Sequence, residues 1–270
     1  MSVARRIGAE PGRLARWVIL GVVGAVFAIP IVAMLEFSLS TNNGDGYTLD
    51  HWTALFDPEN ARAYRGLFVA IGNSFLLAAV TVAIVLVLLL PTMILVHIQF
   101  PRLRRVLEFI CIVPITVPAI VLVVGLAPVY AVVVRVLGGS IWTLAFAYGI
   151  TVLPYAYRAI QANLDAIPVV TLSEAARSLG AGWPVILWRV LLPNLRRGVL
   201  AAAFISVAVV LGEFTIASLL NRVNLQTALL QVGQSDPWVA VILALLALAF
   251  AFLLLIVIGR LGSARNRRSS

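Results

Sequence analysis

Six stretches of this chain are long and apolar enough to cross a lipid bilayer. They run over about 17–37, 68–96, 106–134, 141–157, 199–220 and 238–259. A spanning helix needs about 20 mostly apolar residues, because its 1.5 Å rise per residue must cover about 30 Å of hydrocarbon. The composition agrees, with 62% hydrophobic and 11% charged residues. Soluble domains carry roughly 45–50% apolar and about 25% charged residues. A water-soluble enzyme, a disordered chain and a DNA-binding module are thereby excluded. The expected fold is all-α and polytopic, with six transmembrane helices. The expected organisation is a segment over 1–16, a membrane domain over 17–260 and a basic tail over 261–270.

The net charge of +9 would suggest nucleic acid in a soluble protein, but here the position of the charges matters more. All 20 basic residues are arginine. Arginines in short loops are retained on the cytoplasmic side. With the N-terminus inside, sixteen fall in the inner segments: four before the first stretch, Arg102, Arg104 and Arg105 after the second, five over 158–198 and four in the tail. Only Arg62, Arg65, Arg135 and Arg222 fall outside. Both termini are expected in the cytoplasm. Arginines before the first stretch imitate a signal peptide, but the run is longer than a signal core, so an uncleaved helix is expected. Residues 38–67 read as an outer loop with one short helix.

Several function classes drop out early. Cys111 is the only cysteine, so neither an internal disulfide nor a multi-cysteine metal site can form. His51 and His97 share no ligand spacing, and no metal site is expected. A G-x-x-x-x-G-K-[ST] phosphate loop needs a lysine, and there is none. Any such ATP site lies on another chain. Prolines punctuate the spans: Pro91 in the second, and Pro114, Pro118 and Pro128 in the third. Breaks of this kind survive at membrane depth where protein or a wet cavity satisfies the freed carbonyls, so the third stretch is a candidate cavity wall.

The segment 158–198 is neither apolar enough to span nor polar enough to be a linker. Thr171-Leu172-Ser173-Glu174 has capping-box form, with Thr at the N-cap and Glu three residues on. Gly180 and Gly182 stop that helix, and Pro184 suits the first turn of the next. Val185, Trp188, Leu191 and Leu192 recur with helical spacing, and Pro193 ends or kinks the run. A helix, a sharp turn and a second amphipathic helix are expected.

Glu174-Ala175-Ala176, three residues, Gly180, nine residues, Val190-Leu191-Leu192-Pro193 resembles the hallmark loop of binding-protein-dependent ABC importer permeases. That pattern is E-A-A, three residues, G, nine residues, I, one residue, L-P; only Val190 departs from it. The resemblance implies a type I importer permease fold in a bacterial inner membrane. It implies two ABC ATPase subunits that carry ATP and magnesium, a second permease that is a homologue of this one, and an extracytoplasmic substrate-binding protein. This chain would itself be non-catalytic and bind no cofactor and no nucleic acid, its other partner being membrane lipid. Glu174 and Arg177 would face the ATPase, Ala175 and Ala176 would allow close approach, and Gly180 would permit the turn. For Glu174 the alternative is the cap itself.

Glu213 is the acid well inside a late span, about 21 Å along a helix begun at Val199. An intramembrane carboxylate costs several kcal/mol unless it faces protein or water. It is a pathway candidate with Thr215, Thr116 and Asn73. Its alternatives are an ion pair with Arg135 or Arg222, or a bond across a subunit interface; that of Asn73 is a helix-start cap. Pro114-Ile115-Thr116-Val117-Pro118, Asn73-Ser74 and Leu153-Pro154 resemble the spermidine/putrescine-type permease group, which implies a polyamine cargo. Relatives of that group carry ferric iron, phosphonate or thiamine, and Gly212-Glu213-Phe214 is similar to a triplet of oxyanion permeases. A proton-coupled secondary transporter using Glu213 is the alternative of another class; it leaves the 171–193 loop unexplained.

Overall fold

The computed structural model describes residues 12–41, 46–57 and 61–263. Residues 1–11 of the expected first segment, 42–45 and 58–60 of the expected outer loop and 264–270 of the expected basic tail lie outside them. The described chain is helical, and its β pairing is a single bridge between Ser40 and Tyr47. In order come α1 (Arg13–Leu39), α2 (Asp50–Ala54), α3 (Ala61–Gln99), α4 (Arg104–Thr116), α5 (Ala119–Leu137), α6 (Ala145–Leu164) and α7 (Val169–Ser178). Then follow α8 (Trp183–Val185), a π-turn (Ile186–Leu191), α9 (Leu192–Gly212), α10 (Thr215–Leu219), α11 (Leu225–Ser235) and α12 (Pro237–Ser263).

Four of these segments are long and apolar enough to cross a membrane: Arg13–Leu39, Tyr64–Gln99, Ala119–Leu137 and Trp183–Gly212. Pro237–Leu253 is a shorter apolar helix. The expected third stretch is two helices, parted at Val117–Pro118. Pro118 disfavours α-helical geometry at the residue before it, and Val117 is accordingly extended, with ψ 126°. The expected fifth stretch starts earlier, at Trp183, and stops at Gly212.

The chain divides into two compact units, Met1–Ala61 with Val232–Phe252, and Arg62–Gln231 with Leu253–Ser270. In the first, Trp238 stacks on Phe37 at 5.6 Å and on His51 at 4.9 Å. Its indole N–H donates to Ser40 Oγ, and that of Trp52 to the buried Ser38 Oγ. Such a cluster of amphipathic rings suits a membrane interface.

The second unit is built around α6, which packs on α9 and on α4. Tyr148, Val152, Ala156, Ile160 and Leu164 form its fully buried stripe. α9 answers with Leu195, Gly198, Ala202, Ser206 and Val210, spaced three or four apart. Small residues on that stripe let the two backbones approach, which is how helices associate where no hydrophobic force acts between them. A Cβ on Gly198 would lie 2.6 Å from Asn163 Cβ and 3.2 Å from the Ala159 carbonyl oxygen. By contrast, a Cβ on Gly125 meets nothing within 4 Å. Gly198→Ala should therefore destabilise the fold by about 1–3 kcal/mol through overpacking, and Gly125→Ala, mid-helix in open space, should stabilise it by up to about 1 kcal/mol. Unfolding in detergent micelles measures both, and equal stability of the two variants would contradict this account of the crossing.

Candidate functional site

Two regions carry the polar chemistry of the second unit. The first is the loop after α6. The expected capping box at Thr171 does not form. α7 starts three residues earlier, after Pro168, whose fixed φ suits a helix entry. Val169 and Ser173 are buried, and the Ser173 hydroxyl donates to the Val169 carbonyl at 2.7 Å. That anchoring places Glu174 sixth in the helix, beyond the reach of its open N–H groups. Glu174, Ala175 and Arg177 stand exposed, whereas Ala176 turns inward with Leu172 against the core. The two alanines thus do different work: Ala175 lies on the free face and Ala176 seats the helix.

Gly180 ends α7 with φ 82°. Its N–H donates to the Arg177 carbonyl at 2.8 Å, and that of Ala181 to the Ala176 carbonyl at 3.0 Å. This reciprocal pair closes a helix through one left-handed residue, a conformation glycine adopts without steric cost. Leu179, just before it, is 89% exposed. Beyond the turn half of the expected apolar face holds, since Leu191 is buried and Leu192 packs against the core. Val185 and Trp188 are exposed, and the buried pair is Ile186 and Leu191. A π-turn repeats at five residues rather than four, so it brings those two to one side. Nor does Pro193 end the helix. It occupies the first turn of α9, where a missing N–H is harmless, and the chain runs on helically to Gly212.

The second region surrounds the break after α9. Glu213 leaves the helix with ψ 119°, so it sits at a break rather than inside a continuous helix. One carboxylate oxygen accepts from the Ile216 N–H at 3.0 Å and so caps the short α10. Among the described residues neither Arg135 nor Arg222 pairs with it. The Arg222 guanidinium instead lies 5.9 Å from the Tyr130 ring centre. The freed carbonyls find side chains. Gln226 donates to the Leu211 carbonyl at 2.9 Å. The buried Asn224 donates to the Glu213 carbonyl at 2.7 Å and to the Tyr148 hydroxyl at 3.1 Å.

Asn224 also opens α11 in a reciprocal cap. Its Oδ1 accepts from the Thr227 N–H, and Thr227 Oγ1 accepts from its own N–H, both at 2.9 Å. α3 holds the same loop from the other side: Asn73 Nδ2 donates to the Val223 carbonyl at 2.9 Å, and Ser74 Oγ accepts from the Leu225 N–H at 2.7 Å. α3 begins at Ala61, so Asn73 lies well inside it and is not a start cap. Thr215 is half-buried as the first residue of α10. Of the four pathway candidates, the fold brings Asn73, Glu213 and Thr215 to one loop. Thr116 is not tied to it, and its hydroxyl donates to Val113 within α4. The two broken helices nevertheless meet, because α10 packs on α5.

Sequence reasoning missed Asn224, Tyr148, Gln226 and Gly198. Asn224-x-x-Thr227 ahead of a helix, and Gly198, Ala202 and Ser206 spaced by four, were the available signals.

Residues 94–265 match the model of the family described as "Binding-protein-dependent transport system inner membrane component". The chain belongs to that family, and is a non-catalytic, multi-pass permease component of the inner membrane. It is 29% identical over 261 residues to the "Probable ABC transporter permease protein y4fN" of Sinorhizobium fredii. That match covers 91% of this chain but 45% of the relative, so the chain spans about half the relative's length.

If Asn224 centres the loop, Asn224→Ala should cost about 2–4 kcal/mol, the sum of a lost cap and unpaired buried partners. Asn73→Ala should cost about 1 kcal/mol, one ordinary hydrogen bond. Denaturant unfolding in micelles reads the difference, and equal losses would remove Asn224 from the centre.

Proposed function

We propose that this chain is half of the translocation pathway of an ATP-driven importer, and that α7 docks on a separate ATPase subunit. The observation that carries this is the exposed face of α7. In a chain of this family, Glu174, Ala175, Arg177 and Leu179 stand free on a short helix whose other face is packed on the core. Two such permeases would sit over two ATPases, with a binding protein delivering cargo from outside. A relative about twice as long fits a polypeptide carrying two halves of this kind, which favours a homologous permease as partner. Six spans and cytoplasmic termini complete the reading, with α4 and α5 forming one interrupted span. Nucleotide closure of the ATPases would move α7 and bias the membrane helices between inward- and outward-facing states, a two-state device of the hinge kind.

For the cargo, a polyamine is the first reading. The carboxylate of Glu213 follows the C-terminal end of α9, where the helix dipole also favours positive charge. Ferric iron shares that preference. Phosphonate and other oxyanions do not, and thiamine brings a single positive charge.

Because the Glu174 carboxylate caps nothing in α7, Glu174→Gln and Glu174→Ala should lower ATP-driven uptake alike, by tenfold or more if a charged contact of about 1.5–3 kcal/mol is lost. Uptake into proteoliposomes measures this, and wild-type uptake by the Gln variant would reject charge pairing. An ATPase subunit should co-purify with the chain in detergent and be lost on deleting 171–182. Uptake by the chain alone without ATP would favour the proton-coupled alternative. Glu213→Gln should abolish spermidine uptake while leaving the ATPase bound, and undiminished uptake would remove Glu213 from the pathway.

A further inference from the structure

We propose that Arg104 and Asp165 are positioning residues that make α4 move with α7; this rests on α7 being the ATPase-docking helix. The Arg104 guanidinium grips both carboxylate oxygens of Asp165, at 2.9 and 2.8 Å. Gln161 donates to the same carboxylate at 2.9 Å, one helical turn earlier on α6. Both contacts come from Nη2, so one guanidinium nitrogen bridges the two oxygens in a charge-assisted contact, and the Gln161 amide is a second donor to the same carboxylate. The residues so joined are 61 positions apart in the chain, at the start of α4 and just past the end of α6.

Their places in the fold give the pair its role. Asp165 begins the connector into α7, which is short and turned back on itself. The Asp165 N–H donates to Gln161, that of Ala166 to Asn163, and that of Val169 to Ile167. Little slack remains between the carboxylate and the first residue of α7, so a displacement of α7 is felt at Asp165. Arg104 is the first residue of α4, and α4 runs to the break at Val117–Pro118. α7 also packs on the π-turn that leads into α9. Motion of α7 therefore has two outlets. Packing carries it to α9 and to the Glu213 break, and the ion pair carries it to α4 and to the Pro118 break. Both discontinuities are driven from one helix.

The pair is about half exposed, 43% at Arg104 and 45% at Asp165. Exposed pairs add little to folding stability, so its removal tests transmission without unfolding the protein. The test uses the intact permease with its co-purified ATPase in proteoliposomes, measuring uptake and ATP hydrolysis together. Arg104→Gln and Asp165→Asn should each lower uptake per ATP about fivefold, the upper end of what a half-exposed pair is worth and the lower end of ordinary allosteric couplings. ATPase retention should be unchanged. The exchanged pair, Arg104→Asp with Asp165→Arg, should restore the ratio to within about twofold of wild type, since coupled partners fail to add.

Single variants with wild-type ratios would overturn the proposal. So would an exchanged pair no better than the singles, because a general role of either side chain would not be rescued by swapping. Loss of the ATPase from the single variants would assign the pair to docking instead and overturn transmission. Failure of the wild-type chain to retain any ATPase would overturn the docking reading, and this proposal with it.

Discussion

An interrupted helix in apolar surroundings leaves backbone groups that water does not reach, and each must be satisfied by the protein. That constraint organises the second unit. The break at Glu213 frees carbonyls at Leu211 and Glu213 and an N–H at Ile216. Gln226, Asn224 and the Glu213 carboxylate answer them, and answering them pulls the 220–227 segment back against the end of α9. Asn73 and Ser74 then fasten that segment to α3, and Tyr148 fastens it to α6. A single discontinuity thus recruits three helices to one polar knot. The carboxylate that stands out in the sequence is part of the repair.

The close crossing of α6 and α9 supplies the frame for this knot. Gly198, Ala202 and Ser206 leave room for the facing helix, so Tyr148 can reach across from α6. The same crossing extends to the loop end, where Asn163 lies against Gly198 and Asp165 follows two residues later. Packing at the core, the polar knot at one end and the α7 loop at the other are therefore joined by one closely packed pair of helices. In the proposed importer that pair would link the two ends.

Much of the α7 loop was legible in the sequence. The turn at Gly180 and the entry at Pro184 follow from local backbone preferences, and both stand where spacing put them. The start of α7 was not legible, because two equally local signals competed. Thr171 with Glu174 has the form of a cap, yet burial of Val169 and Ser173 draws the helix back to Pro168. Half of the face beyond the turn failed for a related reason. A period of 3.6 does not describe a π-turn, which buries Ile186 with Leu191 and leaves Val185 and Trp188 exposed.

What the sequence determined by itself is the class of the protein and one of its breaks, at Pro118. Long apolar stretches require helices, Pro118 interrupts one of them, and the E-A-A loop pattern identifies the family. These are properties of neighbouring residues, and neighbours suffice to decide them. The helices, however, run on through Pro91, Pro114 and Pro128, and the break at Glu213 was not foreseen. Only the tertiary structure decided what each polar group does. Asn73 reaches a carbonyl 150 residues away, Asn224 holds the peptide of Glu213, and Arg104 grips Asp165. Those partners are chosen by which helices lie side by side, and that choice depends on small residues whose value appears only when another backbone arrives against them.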